Sequence, residues 1–209
     1  MSFNFRSAVR RFLRVRSPFL AEQPELARFE IGKWSYGRLK VVQWDQHSRL
    51  SIGRYCSIAD GTTVLLGGEH HLDWVSTYPF GEMFPCSVPV PSQAWSKGGV
   101  AIGNDVWVGR ESLIMSGVAI GDGAVIGARS LVNRHIPPFA VAAGQPARVI
   151  RYRYDETTIQ RLLALAWWNW EDSEVQAAIP HLMSRDISSF LEKYTRSREG
   201  TVGPTRGRS

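Results

Sequence analysis

The sequence predicts a mainly β fold: a parallel β-helix with one long excursion loop and C-terminal α-helices. Three observations predict it. Aliphatic residues recur at Ile102, Val108, Ile114, Ile120, Ile126 and Val132, a constant step of six. Small or narrow residues recur between them, at Val106, Ser112, Val118, Ala124 and Ser130. Glycine follows several of the aliphatic positions, at Gly103, Gly109, Gly121 and Gly127.

A step of six fits neither the period of an α-helix nor a strand that alternates between two faces. A short strand closed by a turn does account for it. Once per unit a large side chain points into the core. Once per unit a small one lets the chain turn inward at a corner, and glycine allows the backbone shapes such turns need. A repeat of this kind sets the fold before local propensity does. The same step returns at Ile52, Ile58 and Val64, with Cys56 and Thr62 in the small-residue positions. Residues 29–35 read as an irregular first turn of the same coil.

The rest of the chain divides around this core. Residues 1–28 read as an N-terminal helix and connector. Phe5, Val9, Phe12 and Leu13 form an apolar stripe among arginines, and Pro18 and Pro24 mark the connector. Residues 29–150 hold the β-helix. Its repeat stops at Leu65 and resumes at Val100. A loop as long as residues 67–99 is functional or disordered, and its aromatic content favours a folded excursion. Pro137 and Pro138 then turn the chain, and residues 141–147 read as a last strand. Residues 151–195 carry helical stripes, with Asp155 placed as an N-cap and Pro180 expected to bend or break the second helix. Residues 196–209, rich in Arg, Gly, Ser and Thr, are expected to be disordered.

Composition narrows the function classes. With 209 residues, 44% of them hydrophobic, the chain fits one domain with appendages and a sizeable core. No apolar run reaches the roughly 18 residues of a membrane helix, so no membrane span is expected. The formal charge of +6 suits polyanions. Much of it lies at the two ends, where solvation accounts for it, and no nucleic-acid partner is expected. Cys56 and Cys86 are the two cysteines. A reduced, cytoplasmic protein is the natural reading.

His70 is the first candidate for chemistry. An imidazole can take a proton from a hydroxyl and later release it. Spacing alone leaves His70 open between that role and a structural one. His71 beside it raises a metal reading, but adjacent histidines chelate one ion poorly and the other histidines show no matching spacing, so no metal is expected. Cys56 reads as core and Cys86 has no evident base, which argues against a covalent cysteine route. Glu69 or Asp73 could orient the imidazole, with Asp73 better suited to capping local loop structure.

Three stretches carry a family resemblance: residues 102–118, the motif Gly144-Gln145-Pro146-Ala147, and the excursion motif His70-His71-Leu72-Asp73-Trp74-Val75-Ser76-Thr77-Tyr78-Pro79-Phe80. Together with Trp167-Trp168-Asn169-Trp170 they resemble the hexapeptide-repeat xenobiotic acetyltransferases, which include type B chloramphenicol and streptogramin acetyltransferases. The resemblance implies that the β-helix is left-handed, an exception to the usual crossover hand. It also implies a homotrimer with active sites in clefts between subunits and acetyl-CoA as co-substrate. It places His70 on the family's catalytic histidine and Trp107 where an indole stands against that ring. Ser116, Gly127, Ala128, Ala143 and Gly144 fall beside the pantetheine arm. Arg148 and Arg151, with Arg153, fall near the adenosine phosphate, which arginine's forked donors suit.

The acceptor implied is a small hydroxylated molecule, with Tyr78, Phe80, Met83 and Phe84 as its apolar wall. The segment 36–50 is shorter than its family counterpart, so an antibiotic such as chloramphenicol and a sugar stay open. Three other readings stand beside this one: an N-acetyltransferase of an amino sugar, a metal hydrase of the same fold, and a non-catalytic β-helix used for assembly.

Overall fold

The computed structural model of the protein describes residues 18–85 and 87–199. The helix expected within residues 1–17, Cys86 and residues 200–209 lie outside them. The described residues are mainly β, followed by helices.

Short parallel strands stack in three sets. The first holds β1 (Glu30–Ile31), β3 (Leu50–Ile52), β7 (Val100–Ile102) and β10 (Ala119–Ile120). The second holds the first residues of β2 (Tyr36–Gln43) and β4 (Ser57–Leu66), then β8 (Trp107–Val108), β11 (Val125–Ile126) and β13 (Ala140–Gly144). The third holds the far ends of β2 and β4, then β9 (Leu113–Ile114) and β12 (Leu131–Val132). β4 turns a corner, pairing with β8 through Ile58 and with β9 through Val64. Register is constant through the repeat: Ile102, Val108 and Ile114 stand over Ile120, Ile126 and Val132.

That register explains the step of six. Every repeated aliphatic residue points inward, each no more than 3% exposed. Each contributes about 1.5–3 kcal/mol relative to an exposed side chain. The small positions are buried as well. Where they carry hydroxyls, a corner carbonyl satisfies each one. Ser112 Oγ donates to the Gly109 carbonyl at 2.8 Å, Ser130 Oγ to Gly127 at 2.7 Å and Thr62 Oγ1 to Ala59 at 2.8 Å. At one corner the turns approach too closely for a side chain: a Cβ on Gly109 would meet the Ala128 backbone nitrogen at 2.5 Å. Two 3-10 turns, Leu20–Glu22 and Pro24–Leu26, bury Leu20 and Leu26 against the start of the stack.

The excursion leaves the stack after β4 and returns at β7. It contains β5 (Glu69–His70), the short helix α1 (Phe80–Met83) and β6 (Ala94–Trp95). After β13 the chain reverses into β14 (Ala147–Tyr152), which pairs antiparallel with it. β14 carries the strand past residue 150.

A separate compact unit begins at Tyr154. It contains α2 (Glu156–Leu165), α3 (Asp172–Leu182) and α4 (Ile187–Glu199). Asp155 caps α2, its carboxylate accepting from the Thr158 N–H at 2.8 Å. Trp168 and Trp170 are buried, and Trp170 lies against Phe190 and Tyr194. Pro180 neither breaks α3 nor ends it at once, because it sits in the last turn and the helix closes at Leu182. α4 continues past residue 195 into the stretch whose composition predicts disorder. A helix once nucleated extends at one hydrogen bond per residue ordered.

Candidate functional site

The base of the excursion is an antiparallel ribbon in which Glu69 faces Trp95 and His70 faces Ala94. Successive strand residues point to opposite sides. Glu69 turns toward the stack, where its Oε1 accepts a short hydrogen bond from Ser116 Oγ. Ser116 follows β9 and is 3% exposed. His70 is exposed. One residue is the anchor and its neighbour is presented outward.

The His70 ring is held by one bond. Its Nδ1 lies 2.6 Å from the carbonyl oxygen of Thr77. A carbonyl only accepts, so Nδ1 carries the hydrogen and donates it. In the neutral ring the lone pair is then on Nε2, the form a general base needs. The orienting group is therefore the Thr77 carbonyl rather than Glu69 or Asp73. Glu69 is engaged by Ser116, and Asp73 Oδ1 lies 3.8 Å from His71 Nδ1. His71 stacks on Trp74 with centroids 4.3 Å apart and lies 5.8 Å from Trp95.

Gln93 has no sequence signal as a functional residue, yet it ties this loop together. It is 1% exposed. Its Nε2 donates to the Ser76 carbonyl at 2.8 Å, and its Oε1 accepts from the His71 N–H at 3.2 Å. The segment 44–48 holds the stems of the excursion. Ser48 Oγ lies 2.7 Å from Ser96 Oγ. Trp44 packs on Gly68, whose φ of +85° and lack of a side chain allow the approach.

Of the residues expected at the acceptor wall, three rings come together. Tyr78 and Phe80 have centroids 4.8 Å apart, and Phe80 and Phe84 lie 5.8 Å apart. Met83 ends α1 and is exposed. Trp107 lies on the outer side of the second strand set, 56% exposed. The ring contacts of the ribbon run from His71 to Trp74 and Trp95, not to Trp107. A cavity of ≈ 550 Å³ opens on the first strand set, lined by Ala101, Gly103, Gly121, His135 and Pro138, with no wall from the excursion.

The residues expected along the pantetheine arm fall at two places. Gly127, Ala128, Ala143 and Gly144 occupy the corner between the second and third strand sets. There the Gly127 N–H donates to the Ala142 carbonyl at 2.8 Å. Ser116 stands at another corner with its hydroxyl taken up by Glu69. β14 brings Arg148 opposite Ala143 and Arg151 opposite Val141, both exposed. Arg153 turns inward instead, donating to Asp105 Oδ2 at 3.1 Å and to the Gly123 carbonyl at 2.8 Å. Burial pushes the Asp105 carboxyl above its ordinary range although Arg153 pulls it down.

Burial also pushes the Cys56 thiol up to about 11, so Cys56 stays a neutral core residue at ordinary pH. Among the described residues, no group of three or more His, Cys, Asp or Glu could hold a metal ion. No helix among them is long and apolar enough to cross a membrane.

The family model for "Bacterial transferase hexapeptide (six repeats)" matches residues 99–134. A chloramphenicol acetyltransferase from Escherichia coli is 36% identical, over 85% of this chain and 95% of that protein. One from Agrobacterium fabrum is 41% identical, over 71% and 73%. A virginiamycin A acetyltransferase from Staphylococcus aureus is 39% identical, over 69% and 68%.

Proposed function

The chain belongs to the hexapeptide-repeat xenobiotic acetyltransferases, and on that premise we propose that it transfers an acetyl group from acetyl-CoA to a hydroxyl of a small acceptor, with His70 as general base. The observation that carries this reading is the bond from His70 Nδ1 to the Thr77 carbonyl. It leaves Nε2 unprotonated in the neutral ring and ready to accept the hydroxyl proton. The acceptor oxygen attacks the thioester carbonyl directly. Backbone N–H groups stabilise the tetrahedral oxyanion, and the proton on Nε2 passes to the departing thiolate. Cys56, buried and neutral, takes no part.

The stack is a left-handed β-helix, and three copies form a trimer with His70 at the seam between them. Trp107 of the neighbouring copy stands against the imidazole, which accounts for an indole so exposed in one chain. The pantetheine arm runs along Gly127, Ala128, Ala143 and Gly144, where only small residues occupy the corner. Arg148 and Arg151 hold the adenosine phosphate. Ser116 acts through Glu69 as an anchor of the His70 strand. Tyr78, Phe80, Met83 and Phe84 form an apolar wall suited to a drug-like hydroxylated acceptor, in keeping with relatives named for chloramphenicol and virginiamycin.

The test is thiol release from acetyl-CoA with chloramphenicol, a streptogramin or a panel of sugars as acceptor, using His70→Ala as control. Release is expected with an apolar hydroxylated drug and is lost in the variant. Equal release by the variant and the parent overturns the assignment of the base. Release with sugars alone overturns the acceptor class.

A further inference from the structure

We propose that Gln93 is a positioning residue that fixes the proton of His70 on Nδ1. The inference rests on the reading of His70 as the base. Four observations connect the two residues. The Thr77 carbonyl accepts the His70 Nδ1–H at 2.6 Å. That carbonyl belongs to an exposed loop in which residues 72–78 bury no side chain. The peptide group just before it is gripped by Gln93, whose Nε2 donates to the Ser76 carbonyl at 2.8 Å. The other end of the same amide accepts the His71 N–H at 3.2 Å.

The amide thus spans the loop from the residue after the base to the residue before the base's acceptor. It sits beside Ala94, the strand partner of His70. Histidine, amide and carbonyl close one ring of contacts. A buried amide bonded at both its nitrogen and its oxygen resists rotation, because an unpaired buried polar group is costly. Nothing apolar in the excursion does the same work: among its described residues, only Gly67 and Gln93 are buried.

The consequence is chemical as well as mechanical. If the Thr77 carbonyl drifts, Nδ1 loses its acceptor and the proton can sit on Nε2. An imidazole protonated there offers no lone pair to the acceptor hydroxyl. Partners that orient a metal-bound histidine affect activity by about 10- to 100-fold, and a loss of the same order is expected here.

Gln93→Met keeps an unbranched side chain of similar length and removes both hydrogen bonds. The expected result is a kcat about 10- to 100-fold lower, with KM for acetyl-CoA changed by no more than about twofold. Nitrogen-15 NMR of the imidazoles is the second readout. In the parent, His70 is expected as the Nδ1–H tautomer; in Gln93→Met it shifts toward Nε2–H. If Gln93→Met does not fold, Gln93→Leu takes its place.

An unchanged kcat with the Nδ1–H tautomer retained overturns the proposal. So does an Nε2–H tautomer in the parent, which needs no variant at all. Full activity in His70→Ala overturns the base assignment instead, while the tautomer measurement still judges Gln93.

Discussion

The repeat of residues 100–132 and the excursion of residues 67–99 lie side by side in the chain and are held by opposite means. In the repeat, each unit buries its own aliphatic residue, and the corner hydroxyls of Ser112 and Ser130 are satisfied by nearby carbonyls. In the excursion the large apolar side chains are exposed: Leu72 at 85%, Met83 at 68% and Phe84 at 57%. Polar contacts hold it instead, through Gln93, Glu69 and Ser48. The stack is complete within one chain. The excursion has a fixed base and an uncovered apolar surface, the condition expected of a segment that meets a substrate or a second copy.

The sharpest way to separate the two regions is to substitute each. His70→Ala is expected to lower kcat by about 100- to 10,000-fold and leave the melting temperature unchanged, since the ring is exposed. Steady-state thiol release and a thermal melt check both halves. Ile126→Ala should do the reverse. It removes a fully buried side chain and is expected to cost about 2–5 kcal/mol, read by denaturant unfolding. A cost near zero would mean that the stack does not carry the fold.

How much was legible in the sequence follows the same division. Ile102 to Val132 could be assigned inward because each buried position repeats and the step admits one geometry. Val118, Ala124 and Ser130 followed from size alone. Asp155 was visible as a cap because it precedes a helical stripe. The orienting group of His70 was not visible, because it is a backbone carbonyl, and any residue at Thr77 supplies one. Gln93 was hidden because one glutamine in an irregular loop has no periodicity to mark it. Arg153 reads like Arg148 and Arg151 in sequence, yet it turns inward to Asp105 where they stay exposed. The place of Trp107 could be read only by resemblance, since its outward face is all that one chain defines.

Smaller effects refine the contrast. Ser116→Ala removes the donor to Glu69 and leaves a carboxylate without its partner, a change expected to cost about 1–3 kcal/mol. The loss should appear first as faster hydrogen exchange at residues 69–78, with the repeat still protected. Uniform loosening of the repeat would show that this contact serves the stack rather than the loop.

The smallest effect is alkaline. Burial raises the Cys56 thiol from its ordinary 9.0 to about 11. A raised thiol leaves the folded chain holding a proton that the unfolded chain has released. Stability from this group is complete below about pH 9 and falls as pH climbs toward about 11. Cys56→Ala should flatten that decline in a pH series of unfolding curves, and an unchanged slope would count against the buried neutral thiol.

The proposed seam between copies is tested most directly by mixing. His70→Ala chains and Trp107→Ala chains, each impaired alone, are to be unfolded together in equal amounts, refolded and assayed for thiol release. If His70 of one copy works against Trp107 of the next, random trimers restore about one quarter of the parent activity, since each head-to-tail seam is intact in one of four pairings. If the mixture is no more active than the mean of the two variants, the base and the indole do not meet across a subunit boundary.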